Sequence, residues 1–186
     1  TINPLLCLTF LKSLRKTNCK YEVIIINSSN LDFNLKNLDE NIKNKVSIYE
    51  LPYASLSEAR NYALKKVNNS NVIAFPDDDC EYPIGLLDNV LKFYKQNKDK
   101  NCKGISFNFP GRKVNIPNKI FKNDIFGSCI SFNFFIFDPG KIIFNENLGI
   151  GARFDFGEES GLLSRILNKQ NFLINSIKFN IEHPLK

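Results

Sequence analysis

The chain has 186 residues, 43% of them hydrophobic and 24% charged, which is enough apolar material for a sizeable core and too much for a disordered chain. Its 25 Lys and Arg outnumber its 19 Asp and Glu, for a formal charge of +6, but the basic residues are scattered through Lys-Asn-rich stretches such as Lys92 to Lys103 with no interleaved Arg-aromatic stripe. That pattern argues against nucleic-acid binding and leaves a smaller anionic partner, a nucleotide diphosphate or an acidic membrane surface contacted peripherally.

Five cysteines (Cys7, Cys19, Cys80, Cys102, Cys129) make an odd number with no C-x-x-C spacing, the pattern of reduced thiols in a cytoplasmic protein rather than of a disulfide framework or a zinc site. No apolar run approaches the length of a membrane span, and no signal-peptide pattern opens the chain.

In chain order, Pro4 to Lys16 reads as a helix, with Pro4 in the first turn and Leu5, Leu8, Leu11 and Leu14 along one face. Tyr21 to Ile26 is a β-branched run of the kind found in strands buried on both faces. Leu31 to Lys45 is polar, a short helix and loops, and Val46 to Leu51 reads as another strand. Ser55 and Glu58 have capping-box spacing and open a helix, Glu58 to Val67, with Ala59, Tyr62, Ala63 and Val67 as its apolar face. Val72 to Phe75 is a short buried strand stopped by Pro76, and three carboxylates, Asp77, Asp78 and Asp79, follow at its carboxyl end. Pro83 then leads into a helix from Ile84 to Gln96 with Leu86, Leu87, Val90, Leu91 and Tyr94 inward. This alternation predicts an α/β architecture with a mostly parallel sheet and helices on both faces.

In the second half, Lys103 to Phe109 and Ser128 to Phe137 are strand-like and flank a Pro/Gly/Asn/Lys-rich loop from Pro110 to Asn123. Phe132, Phe134, Phe135 and Phe137 read as core aromatics. A Gly-rich loop, Asn145 to Phe156, precedes a helix from Gly157 to Asn168, and Asn171 to Ile174 and Lys178 to Ile181 read as closing strands. No internal repeat or linker divides the chain, so a single domain over 1–186 is expected.

Ligands of open α/β sheets bind outside the carboxyl ends of the strands. Asn27-Ser28 and Asp77 to Asp79 follow strands, while Ser57 to Asn61 and Gly157-Glu158-Glu159 open helices. A parallel sheet brings several of these to one edge, together with His183 near the end of the chain. Carboxylates, an arginine and an imidazole converging there suit a metal-bound phosphate ester and a general base. The plainer readings are a solvated acidic turn at Asp77 to Asp79 and favourable first-turn charges at Glu158 and Glu159.

Six segments, in order, resemble GT-A fold glycosyltransferases of the family 2 type, in particular bacterial enzymes that build surface polysaccharides. Thr1-Ile2-Asn3 resembles the end of the family's first strand, T-Y-N, and Glu22 to Ser29 resembles E-V-I-V-V-D-D-G-S. Leu56 to Asn61 resembles L-S-x-A-R-N, and Phe75 to Asp79 carries the D-x-D signature. Phe144 to Gly149 resembles F-D-E-x-L-G, and Gly157 to Arg165 resembles G-E-D-x-D-L-x-x-R. Most of the family's first strand is missing before Thr1, so a longer chain restoring it is expected to be more stable.

The resemblance implies an inverting, metal-dependent transfer of a sugar from a nucleotide-diphosphate donor to a carbohydrate or lipid-linked acceptor. It makes 1–100 the nucleotide-binding half and 101–186 the acceptor-binding half. It assigns Ile2, Asn3, Asn27, Ser28, Arg60, Asn61, Asp77 and Asp78 to the donor, with Asn27 and Ser28 at the nucleobase and Arg60 and Asn61 near the diphosphate. Asp79 is the implied ligand of Mg²⁺ or Mn²⁺, joined by His183, and Glu159 is the implied base with Glu158 beside it. Asn27 and Ser28 stand where an acidic pair is usual, Glu159 where Asp is commoner, and Gly161 in place of a carboxylate. Two other readings stay open: a non-catalytic scaffold relative, and a nucleotidyltransferase, whose Gly-rich phosphate loop is not visible. The donor sugar is not legible.

Overall fold

The computed structural model describes residues 4–14, 17–36, 38–68, 70–107, 118–124, 134–176, 179 and 181. The first helix, α1, spans Pro4–Ser13 and leads to β1, Val23–Asn27. A parallel neighbour requires a crossover. Here it passes through a single helical turn, α2 (Glu40–Lys43), whose start is capped by Asp39 Oδ1 accepting from Asn41 N at 2.8 Å. The chain then returns as β2, Val46–Glu50, in parallel register with β1 from Val23↔Val46 to Asn27↔Glu50.

Helix α3 spans Leu56–Leu64 and its capping box is complete: Ser55 Oγ accepts from Glu58 N at 3.3 Å, and Glu58 Oε2 accepts from Ser55 N at 2.8 Å. Ser55 N and the Ser55 hydroxyl, which both donate to Glu58 Oε2 at 2.8 Å, lower the Glu58 carboxyl below its ordinary range. Strand β3, Val72–Ala74, is half-buried at the edge of its sheet, not fully buried as its apolar sequence suggests, and an edge is where a following Pro76 is tolerated. Helix α4 runs Leu86–Asn97.

The second half supplies β4 (Cys102–Phe107), β5 (Lys119–Ile120), β6 (Phe134–Phe137), α5 (Glu158–Ile166) and β7 (Phe172–Ser176). Strand β5 and a 3₁₀ turn at Lys122–Asp124 lie in the stretch expected to be loop; two paired residues are too few to show a period in sequence. The expected closing strand at 178–181 falls largely outside the described residues, as do Phe132 and Cys129.

The five-stranded sheet has the order β3-β6-β4-β7-β5. It is mixed rather than mostly parallel: β4 and β7 are parallel, whereas β6 opposes both β3 and β4 and β5 opposes β7. The sequence from Cys102 to Phe137 carries no helix-period pattern of the kind a parallel crossover uses. The expected helices on both faces are present. Phe135 and Phe137 of β6 enter one core with Phe10 and Leu11 of α1 and Leu86 and Val90 of α4. Phe134 and Ile136 enter a second core with Phe144 and with Leu162 and Leu163 of α5. The period-two alternation of the strand thus divides its apolar run between two layers, which is why Phe134 to Phe137 shows no polar position.

At Gly104 the β4 and β6 backbones approach so closely that a Cβ would run into the Phe135 carbonyl oxygen. Cys7, Cys80 and Cys102 are buried free thiols, and burial with the nearby Asp78 charge pushes Cys7 up to about 12.

Candidate active site

The site is built on the polar face of α3. Sequence periodicity places Ala59, Tyr62 and Ala63 inward, but the buried residues of this helix are Ser57, Arg60 and Asn61, at i, i+3 and i+4. They are buried because the loop between β6 and α5 folds over them. Ser57 Oγ donates to Leu148 O at 2.5 Å, and Leu56 N donates to Ile150 O at 3.0 Å. Asn61 accepts from Phe144 N at 2.7 Å and donates Nδ2 to Phe144 O at 3.1 Å and to Glu146 Oε1 at 2.9 Å.

The loop turns back on itself through Gly149 N to Phe154 O, 2.8 Å, and Phe154 N to Asn147 O, 3.0 Å. Gly149 has φ +102, and a Cβ there would lie 3.2 Å from Ser57 Oγ and 3.4 Å from Glu158 Cγ. Only glycine suits both that backbone and that gap. Gly157, φ +90, then starts α5, so its first residues, Glu158 and Glu159, face the buried side of α3.

There Arg60 meets both glutamates: Nη1 donates to Glu158 Oε1 at 3.5 Å and Nη2 to Glu159 Oε1 at 3.2 Å. The Arg60 side chain is 9% exposed and the glutamates 14% and 16%. Its guanidinium carbon lies 5.9 Å from the Phe75 ring centre and 5.2 Å from that of Phe144, two rings packed edge to face at 4.9 Å. Burial raises the Glu159 carboxyl to about 7; Arg60 opposes the shift, and the charges of Glu158 and Asp77 add to it.

Asp77 to Asp79 form the turn after β3, closed by Cys80 N donating to Asp77 O at 3.4 Å. Asp79 is buried, while Asp77 and Asp78 are half-buried. The charges of all three reach the buried Cys80 thiol and, with burial, push it up; beyond that turn the charge of Asp77 reaches Glu159 and that of Asp78 reaches Cys7 of α1. Among the described residues no three Asp, Glu, Cys or His side chains converge as a metal cage. An all-oxygen set with one buried carboxylate suits a hard cation that brings phosphate ligands with it, and does not suit a cage made by protein alone. His183, Ile2 and Asn3 lie outside the described residues.

Asn27 is held within its own turn. It is 1% exposed, its Nδ2 donates to Leu31 O at 2.9 Å, and its Oδ1 accepts from Ser29 N and Oγ at 3.2 and 2.6 Å. Asn27 shapes this turn, and Ser28 is the more accessible of the two. Asn61 likewise is bonded to the loop at 144–146. Phe75, Phe144 and Glu146 are site residues to which the sequence assigns no role, although Phe144 and Glu146 lie within the F-D-E-x-L-G-like segment.

The family model described as "Glycosyl transferase family 2" matches residues 5–167. The chain belongs to glycosyl transferase family 2. Among solved structures, this family 2 chain is similar to S. aureus TarS, with TM-score 0.73 and 16% identity, over 97% of this chain and 34% of that one. It is similar also to TarS 1–349 in complex with UDP (TM-score 0.73, 16% identity, 97% and 57% covered) and in complex with UDP-GlcNAc (0.67, 18%, 98% and 58%). The family 2 chain thus spans between a third and three fifths of the length of these chains, and at such identity the likeness shows a common fold. No curated protein matches it.

Proposed function

We propose that the chain is a glycosyltransferase that moves a sugar from a nucleotide-diphosphate donor to a hydroxyl of a carbohydrate or lipid-linked acceptor, inverting the anomeric centre, in the assembly of a surface polysaccharide. The observation that carries the reading is the buried Glu158–Arg60–Glu159 set beside the acidic turn after β3. Family 2 membership and the UDP and UDP-GlcNAc complexes of TarS support the donor class.

In this reading Glu159 takes the proton of the acceptor hydroxyl. The acceptor oxygen bonds to the anomeric carbon as the bond to the diphosphate breaks, and the leaving group carries away the electron pair. A carboxyl raised to about 7 by burial suits that step, because a base is most effective when its pKa lies near the working pH. Glu158 then contributes to acceptor binding and to the charge at the start of α5. Ser28, Asp77 and Asp78 face the donor, and Asp79 would hold Mg²⁺ or Mn²⁺ between protein and diphosphate. When bound, such an ion would supply charge neutralisation for the diphosphate. The nucleotide is held by 1–100 and the acceptor by 101–186, on the cytoplasmic side of the membrane, with peripheral contact to it. Among the described residues no helix is long and apolar enough to cross a membrane.

Turnover of a panel of nucleotide sugars tests the proposal. Nucleoside diphosphate should be released in the presence of Mn²⁺ or Mg²⁺, lost with EDTA, and lost on Asp79→Ala. Donor binding without release from any member of the panel indicates the scaffold reading, and full activity of folded Asp79→Ala in chelator overturns the metal assignment.

A further inference from the structure

We infer that Arg60 is a positioning residue for the base: it holds Glu159 in place and fixes its charge state from α3, and it is not a ligand of the donor diphosphate. The inference rests on the reading of Glu159 as the base.

Three observations carry it. First, both terminal nitrogens of the guanidinium are engaged by carboxylates, and two rings lie beside it. Nη1 and Nη2 address one oxygen each of Glu158 and Glu159, and Phe75 and Phe144 lie within 5.9 Å of the guanidinium carbon. A phosphate reaching it would have to displace carboxylates from a side chain that is 9% exposed. Second, Arg60 is flanked on its own helix by Ser57 and Asn61, which are bonded to Leu148, Phe144 and Glu146, so its place relative to α5 is fixed at both ends of the loop. Third, the charges are unequal: one cation faces two carboxyl groups, with Asp77 beside them.

The groups acting on Glu159 come from three elements: Arg60 of α3, Glu158 of α5 itself and Asp77 of the turn after β3. Arg60 is the cation among them. Without it, burial and two like charges act unopposed, and Glu159 keeps its proton to higher pH. Arg60 engages Oε1 of each glutamate and not Oε2, so the bridge orients Glu159 while leaving its second oxygen outside the ion pair. Lysine preserves charge but not the planar fork that spans two carboxylates.

The test uses two measurements that need no acceptor. The first is the titration of the Glu159 carboxyl by ¹³C NMR, assigned with Glu159→Gln, in wild type, Arg60→Gln and Arg60→Lys. The second is UDP binding with Mn²⁺ by calorimetry on the same proteins. Arg60→Gln should raise the Glu159 midpoint by about one unit or more, and Arg60→Lys by less than half of that, with UDP affinity in both within about twofold of wild type. A midpoint that does not move, or a tenfold loss of UDP affinity on either substitution, overturns the inference. If Arg60→Gln does not fold, Arg60→Lys carries the affinity arm, and Glu158→Gln, which removes one of the two like charges, must lower the midpoint. Failure of the base reading itself shows differently: Glu159→Gln then releases nucleoside diphosphate at the wild-type rate whatever Arg60 does.

Discussion

At the scale of single residues, Glu159 shows what the fold spends on this site. Its carboxyl is raised from an ordinary 4.5 to about 7, chiefly by burial. The folded state therefore binds a proton that the unfolded chain has released between those two values, and stability falls as pH rises through that window. The full shift corresponds to roughly 3 kcal/mol. Glu159→Gln removes the titration, so it should be more stable than wild type at pH 8 by roughly 1–3 kcal/mol, with the advantage fading below about pH 5. Urea unfolding at the two pH values checks it; a constant difference contradicts the burial account. The motif segments made Glu159 and Arg60 legible as site residues, but not their pairing, because contact between residues 60 and 159 is made by the fold and leaves no local spacing to read. The bonds of Asn27 to Ser29 and Leu31 were not legible for another reason: a resemblance carries over a position without its hydrogen bonds.

At the scale of elements, α3 organises the site, and its capping box was fully readable because Ser55 and Glu58 are neighbours in sequence. Its buried face was not, since periodicity finds apolar stripes and this helix buries Ser57, Arg60 and Asn61. Asn61 is the clamp for the loop at 144–146. Asn61→Ala leaves the Phe144 backbone N–H and carbonyl without that clamp, and should cost roughly 2–3 kcal/mol and expose the Phe144 amide to hydrogen exchange. Ser55→Ala should cost about 1 kcal/mol through the cap alone, without affecting that amide. Exchange at Phe144 that is equal in the two variants contradicts the clamp. In the sheet, Gly104→Ala forces β4 away from β6 and should cost roughly 1–3 kcal/mol.

At the scale of the whole molecule, two packed layers around β6 and the turn after β3 bring one helix from each half of the sequence to the same place, α3 to α5. The α/β class, the helices on both faces and most elements could be read from apolar periodicity. The direction of β6 and the existence of β5 could not, because strand direction depends on connections and β5 is two residues long. The central claim is that this arrangement makes Glu159 the base of an inverting transfer. It is tested most directly by following the sugar product by NMR, from the donor identified in the nucleotide-sugar panel, for wild type and Glu159→Gln. The account predicts a product of inverted anomeric configuration, a wild-type rate that rises with pH through about 7, and a fall of about 10²-fold or more in Glu159→Gln with donor binding unchanged. A product of retained configuration, or Glu159→Gln working near the wild-type rate, contradicts it.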